Sequence, residues 1–192
     1  MDALQILIDQ ISPHQQISTD LRDYLTTSIR QNNYPKNHHL IKIGQQQQNI
    51  HFLLSGTARV YVIDPETQSQ NTIWFWHPQQ IIIPFEGLAS KKKSQTAIIL
   101  TEKATLLSLP LIHLKYMSQR FPEFINIAQM VLETLIKNLS DHMQMMKKLN
   151  THQRYELLMQ QHGNIFNTVT LREVASYLGM SLNTLNHLRS IK

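Results

Sequence analysis

The chain has 192 residues, 42% of them hydrophobic and 16% charged, with a formal net charge of +5 and no cysteine. That composition suits a globular protein with a buried core, and the lack of cysteine excludes disulfides, cysteine-ligated zinc and thiolate-held iron–sulfur clusters. The charge is uneven: from Met143 onward, Lys147, Lys148, Arg154, Arg172, Arg189 and Lys192 face only Glu156 and Glu173, so nucleic acid is the first partner to consider.

The opening "MDALQILIDQI" has an early Asp, no basic leader and no small-residue cleavage site, and does not read as a signal peptide. The longest apolar runs, "QIIIPF" and "TAIIL", are far shorter than a bilayer span, so a cytoplasmic protein without a membrane partner is expected. Two short helices come first: Ala3 to Ile11, then one capped by Ser18 with Leu21, Tyr24, Leu25 and Ile29 at helical spacing.

From Tyr34 the period changes. "HHLIKI", "NIHFLLSG", "ARVYVID", "NTIWFWH", "QIIIPF", "TAIIL" and "ATLLSLP" are short, β-branched and aromatic, and separated by polar or turn residues. They predict an antiparallel unit of about seven or eight strands between Pro35 and Leu109, with hairpins at Ser55-Gly56 and Asp64-Pro65, closing as a roll or sandwich.

"LIHLKYMSQRF" then predicts a short helix ending near Pro122, and residues 122–149 one long helix. On it Phe124, Ala128, Val131, Leu135, Leu139, His142, Met146 and Leu149 recur every three or four residues, beside a second stripe of Leu132, Ile136 and Met143. One stripe can pack on the β-unit. The heptad-like one, with Val131, Leu135, Leu139, His142 and Met146, suits pairing with a second copy.

The final module holds "QRYELLMQQH", a turn at Gly163 and "TLREVASYLGMSLNTLNHLRSIK". Thr170 and Glu173 form a capping box, Gly179 supplies a left-handed corner, and Ser181 caps a last helix. Ala175 allows close crossing while Leu185 and Leu188 anchor the last helix, leaving its small polar residues outward. Those are the demands of a helix-turn-helix.

In order and separation, "HFLLSGTARVYV", "FPEF" with the long helix, "QRYELLMQQH" and "TLREVASYLGMSLNTLNHLR" resemble the Crp/Fnr family of bacterial transcription regulators across nearly the whole chain. The resemblance implies an α+β protein in three parts. Residues 1–121 hold an antiparallel β-roll of the jelly-roll type, akin to cyclic-nucleotide-binding domains. Residues 122–149 form a dimerisation helix, and residues 150–192 a winged helix-turn-helix, although "GNIFNT" leaves little room for a wing. The implied partners are double-stranded DNA, a second copy, and RNA polymerase once on DNA.

It also places Ser181, Leu182, Asn183, Thr184, Asn186, His187 and Arg189, with Arg172 and Lys192, on the face toward DNA. Family members commonly carry Arg-Glu after the capping Ser and a further Arg four residues on. This chain has Leu182, Asn183 and His187. Asn pairs with adenine and Leu touches a thymine methyl, so a half-site rich in A·T, or weaker selectivity, is expected.

In nucleotide-responsive members a Gly-Glu pair and an Arg-Ser or Arg-Thr pair hold the cyclic phosphate. Here the corresponding residues are Pro84-Phe85 and Gln95-Thr96, and Glu86-Gly87 stands in reverse order. Glu86, Gly87, Leu88, Gln95 and Thr96 therefore outline an effector pocket not expected to bind cyclic AMP, with any other effector unnamed by the sequence and Lys91, Lys92 and Lys93 read as a solvated loop.

No metal or cofactor is expected. His38 and His39 are adjacent on a strand and point to opposite faces, His51, His77, His113 and His142 are isolated, and no haem-ligand pattern stands out. No nucleophile elbow, P-loop or dinucleotide fingerprint appears, so enzyme activity is not expected. The competing expectation is a regulator-like protein that acts through protein contacts or an unknown small molecule without specific DNA readout.

Overall fold

The computed structural model describes residues 2–12, 17–86, 90 and 92–191. Helices α1 (Ala3–Ile11) and α2 (Thr19–Ser28) are followed by strands β1 (Arg30–Tyr34), β2 (His39–Ile41), β3 (Asn49–Ser55), β4 (Ala58–Ile63), β5 (Gln70–Trp76), β6 (Ile81–Ile82), β7 (Ala97–Leu100) and β8 (Ala104–Pro110). Then come α3 (Ile112–Arg120), α4 (Pro122–Lys148), α5 (Thr151–His162), a 3-10 turn (Gly163–Asn167), α6 (Leu171–Tyr177) and α7 (Leu182–Ser190).

The strands make two four-stranded antiparallel sheets, ordered β1-β8-β3-β6 and β2-β7-β4-β5. Alternation along each strand divides the apolar side chains between two faces. Leu53, Val60, Trp74, Trp76, Ile82, Ile98, Leu100 and Leu106 point between the sheets and form the roll core. Phe52 and Leu107, one residue out of phase with Leu53 and Leu106, meet α1, α2 and α3 through Leu4, Leu7, Leu21, Leu25 and Met117 on the outer face of the first sheet.

Strand β1 differs from the sequence reading, which began the β-unit near Pro35. Four of its five residues are exposed, so no apolar alternation marks it, and pairing with β8 from Arg30 opposite Ser108 to Tyr34 opposite Ala104 makes it a polar edge strand. Ile29, read as part of the preceding helix, is its extended C-cap. The turn expected at Gly163 is a 3-10 turn, with Gly163 at φ −58°. Among the described residues no strand follows β8, so the expected wing is not formed there.

The stripe of α4 expected to face a second copy packs largely on this chain's own roll. Val131 packs against the outer-face cluster and Leu135 and Leu139 against the roll core, while His142 lies edge-on to Trp74 at 5.6 Å between ring centroids. Met146 lies against Gly179. The residues assigned to a partner copy thus cover this chain's own sheets. Ile125, Leu132, Ile136 and Met143 stay exposed, Ile136 at 65%. Both stripes have helical spacing, so their periodicity alone could not decide which one meets the roll.

No helix of the described residues is long and apolar enough to cross a membrane, and they contain no group of three or more His, Cys, Asp or Glu arranged to hold a metal ion.

Candidate nucleic-acid interface

Helix α6 starts where the sequence places it. The Thr170 hydroxyl accepts from the Glu173 N–H at 3.4 Å, and Glu173 Oε2 accepts from the Thr170 N–H at 2.8 Å, which closes the capping box. Gly179 then takes φ +61°, and the Ser181 hydroxyl accepts from the Thr184 N–H at 3.0 Å to begin α7. Val174, Ala175, Leu178, Leu185 and Leu188 are buried with Tyr155, Leu158, Ile165 and Val169, so both helices share one core with α5.

That packing fixes which side of α7 faces water. Ser181, Asn183, Asn186, His187, Arg189 and Ser190 are exposed. Leu182 and Thr184 are not fully free. Leu182 is half-buried in an open crevice of about 720 Å³ shared with Asn71, Thr72 and Tyr177, and the Thr184 hydroxyl lies 2.8 Å from that of Ser181. Arg189 stacks its guanidinium over the Phe166 ring at 5.0 Å, a contact that holds the cation beside the exposed face of α7. Arg172 is exposed at the start of α6, and Lys192 lies outside the described residues.

Among the basic residues expected to attract phosphates, Lys147 and Lys148 are exposed at the end of α4, where cations also complement the helix dipole. Arg154 turns inward, with a guanidinium N–H directed at the Met146 sulfur at 3.5 Å.

The helix-turn-helix is docked on the outer face of the second sheet through residues the sequence reading did not single out. Arg59 Nε lies 3.1 Å from Glu173 Oε1. Arg59 also donates to Thr72 at 3.2 Å and to Gln70, and its pKa is lowered by burial, partly offset by Glu173 and Tyr61. The Thr72 N–H donates to the Ser176 hydroxyl at 2.9 Å. Phe75 meets the Tyr177 ring at 5.0 Å, and Tyr177 stacks on His142 at 4.7 Å, while His77 stacks on His162 at 3.7 Å. Burial pushes the Tyr177 hydroxyl up to about 12 and His77 down to about 4, and lowers His142 and His162.

A sequence signal for this joint existed. "WFW" breaks the alternation of a one-sided strand and "ARVYV" carries a charge between apolar residues, which means that both faces of β4 and β5 are covered.

Of the expected effector pocket, Glu86, Gln95 and Thr96 come together. Ser94, not foreseen, joins them, its hydroxyl 3.1 Å from Glu86 Oε2. Gly87, Leu88 and Lys91 lie outside the described residues.

A β-roll, a long helix and a helix-turn-helix in this order are the architecture of the Crp/Fnr regulators, and the chain has that fold. Among solved structures it is similar to FixK2 from Bradyrhizobium japonicum, at 14% identity over 85% of this chain and 83% of that one, with a TM-score of 0.73. It is also similar to the c-di-GMP responsive global regulator CLP of Xanthomonas campestris, at 12% identity over 89% of each chain with a TM-score of 0.69. A third similar structure is a transcriptional regulator assigned to the Crp/Fnr family from Eubacterium rectale, at 13% identity over 91% of this chain and 83% of that one, with a TM-score of 0.71. No family model and no curated protein matches the sequence.

Proposed function

We propose that the protein is a dimeric, sequence-reading DNA-binding transcription regulator that does not require cyclic AMP. The observation that carries this reading is the division of α7: Leu185 and Leu188 are buried, while Asn183, Asn186, His187 and Arg189 line its open face with no role in the fold's core. Two such helices related by a dimer axis would enter successive major grooves ~34 Å apart and read a palindrome. Asn183, Asn186 and His187 would address base edges, and Arg172, Arg189, Lys147 and Lys148 the phosphates. The control unit is the roll, whose β4 and β5 hold α6 directly.

Selection from randomised duplex DNA with the full chain, with and without cyclic AMP, tests the reading. The expected result is an A·T-rich palindrome enriched equally in both arms, with affinity falling steeply as salt rises. Asn183→Ala and His187→Ala should each cost about 1–3 kcal/mol on the selected site and relax the base preference at one position. Arg189→Ala should weaken all sequences alike. A folded dimer that enriches nothing in either arm would refute specific readout and favour action through protein contacts.

The exposed stripe of α4 supports the dimer. Ile125, Leu132, Ile136 and Met143 recur at spacings of seven, four and seven, the heptad seam of a two-stranded coiled coil. Light scattering should find the Leu132→Lys and Ile136→Lys double variant monomeric but folded, with DNA affinity down about 100-fold or more through lost bivalency. Leu135→Lys should instead unfold the chain, because Leu135 packs on the roll core. A double variant that stays dimeric would place the interface elsewhere.

A further inference from the structure

One carboxylate in the roll has no cationic partner among the described residues and is nevertheless well satisfied. Glu86 Oε2 accepts from the Gln95 N–H at 3.2 Å and from the Thr96 hydroxyl at 3.4 Å, and the Ser94 hydroxyl lies 3.1 Å away. The Ser94 hydroxyl has a single proton and a second acceptor, the Thr96 carbonyl, at 2.8 Å, so it shares that proton between the two. Neutral donors converging on one oxygen form an oxyanion nest.

The nest's donors are also held by contacts that do not involve Glu86. Ser94 and Thr96 are 2% and 4% exposed. The Gly44 N–H donates to the Ser94 carbonyl and the Ser94 N–H to the Gln45 carbonyl, each at 2.8 Å, and Thr96 leads straight into β7. The segment that delivers Glu86 leaves β6 and is anchored by Phe85, whose ring lies 6.5 Å from that of Trp76. Trp76 in turn shares the roll core with Leu135 of α4. A carboxylate seated in the nest therefore ties the loop after β6 both to β7 and, through Phe85 and Trp76, to the long helix.

We propose that Glu86 is the roll's internal ligand, filling a site shaped for a phosphate-type oxyanion and holding the roll closed without an external one. This rests on the reading of the roll as the control unit, and explains why that unit would need no nucleotide. An outside oxyanion would have to displace a carboxylate tethered to the same chain, whose effective concentration is high. Deleting that side chain exposes the nest to solvent anions.

The test uses the full chain without DNA, melted and titrated calorimetrically with inorganic phosphate and, separately, with cyclic AMP. The wild type is expected to respond to neither. Glu86→Ala should melt about 4 °C or more lower and recover saturably with phosphate, and adding Thr96→Val should abolish the recovery. Glu86→Gln keeps the size, drops the charge and guards against a misfolded alanine variant. It should melt between the other two and gain a phosphate-dependent shift.

A wild type that binds phosphate or cyclic AMP as well as the variants do would overturn the proposal. So would folded Glu86 variants that melt like the wild type and ignore phosphate. DNA selection is read separately: a failed nest leaves an enriched palindrome standing, and a failed selection leaves the nest result intact.

Discussion

Replacing Gly56 by alanine is expected to lower the stability of the protein by about 2–4 kcal/mol, combining left-handed backbone strain with overpacking. Gly56 joins β3 to β4 at φ +98°, and a Cβ there would sit 2.6 Å from Ala104 Cβ, 3.0 Å from Ala104 Cα and 3.1 Å from the Lys103 carbonyl oxygen. Two of these three contacts are with backbone, so no rotamer change relieves them, and β8 would have to move in the centre of its sheet. Gly44 is the control. It has φ +83° with nothing within 4 Å of a built Cβ, so Gly44→Ala should cost only the strain, about 1–2 kcal/mol. Urea unfolding of the two variants measures the difference. Equal losses would mean that the packing of Ala104 against the turn contributes nothing.

The protein should also lose stability as the pH falls from 6.5 toward 4. His51 is 4% exposed between β3 and β8, with Nδ1 2.8 Å from the Ser108 hydroxyl. Burial, aided by the nearby His38, pushes His51 down to about 4 from 6.5. The folded chain therefore refuses a proton that the unfolded chain accepts. The stability that neutral His51 contributes is complete above pH 6.5 and lost as the pH falls toward 4, by up to about 3 kcal/mol for a shift of this size.

His77, pushed down to about 4 by burial and by the facing His162, acts in the same direction. Its share is smaller because it keeps some contact with solvent. Asp64 and Glu123 have carboxyls held below their ordinary range by hydrogen bonds, so their contribution is lost only at lower pH. Denaturant unfolding at pH 7.5 and 5 should show the drop, and His51→Leu should remove most of it. A stability unchanged between those two pH values would count against burial of a neutral His51. Protonation of His77 would set two cationic rings face to face once His162 is charged, so the joint between the roll and the helix-turn-helix should loosen in step.

The sequence by itself determined the order of the parts, because each is specified by local chemistry. Thr170 with Glu173, Gly179 and Ser181 act within a few residues of themselves, so the corner and both caps of the helix-turn-helix were legible, as was the outward polar face of α7. Alternation gave most strands for the same reason. Strand β1 was not legible, since its polar residues owe their conformation to β8, more than 70 residues away in the chain.

Tertiary structure alone decided three further matters. It chose which stripe of α4 meets the roll, since two apolar stripes on one helix are equivalent until a sheet is placed beside them. It joined Arg59, Thr72 and Phe75 to Glu173, Ser176 and Tyr177, a contact between segments about a hundred residues apart that no local pattern encodes. And it brought Glu86 onto Ser94, Gln95 and Thr96. A carboxylate's partners are set by whatever donors the fold delivers to it, so the sequence could show that the expected Gly-Glu and Arg-Ser or Arg-Thr pairs are missing but not that Glu86 meets these three residues.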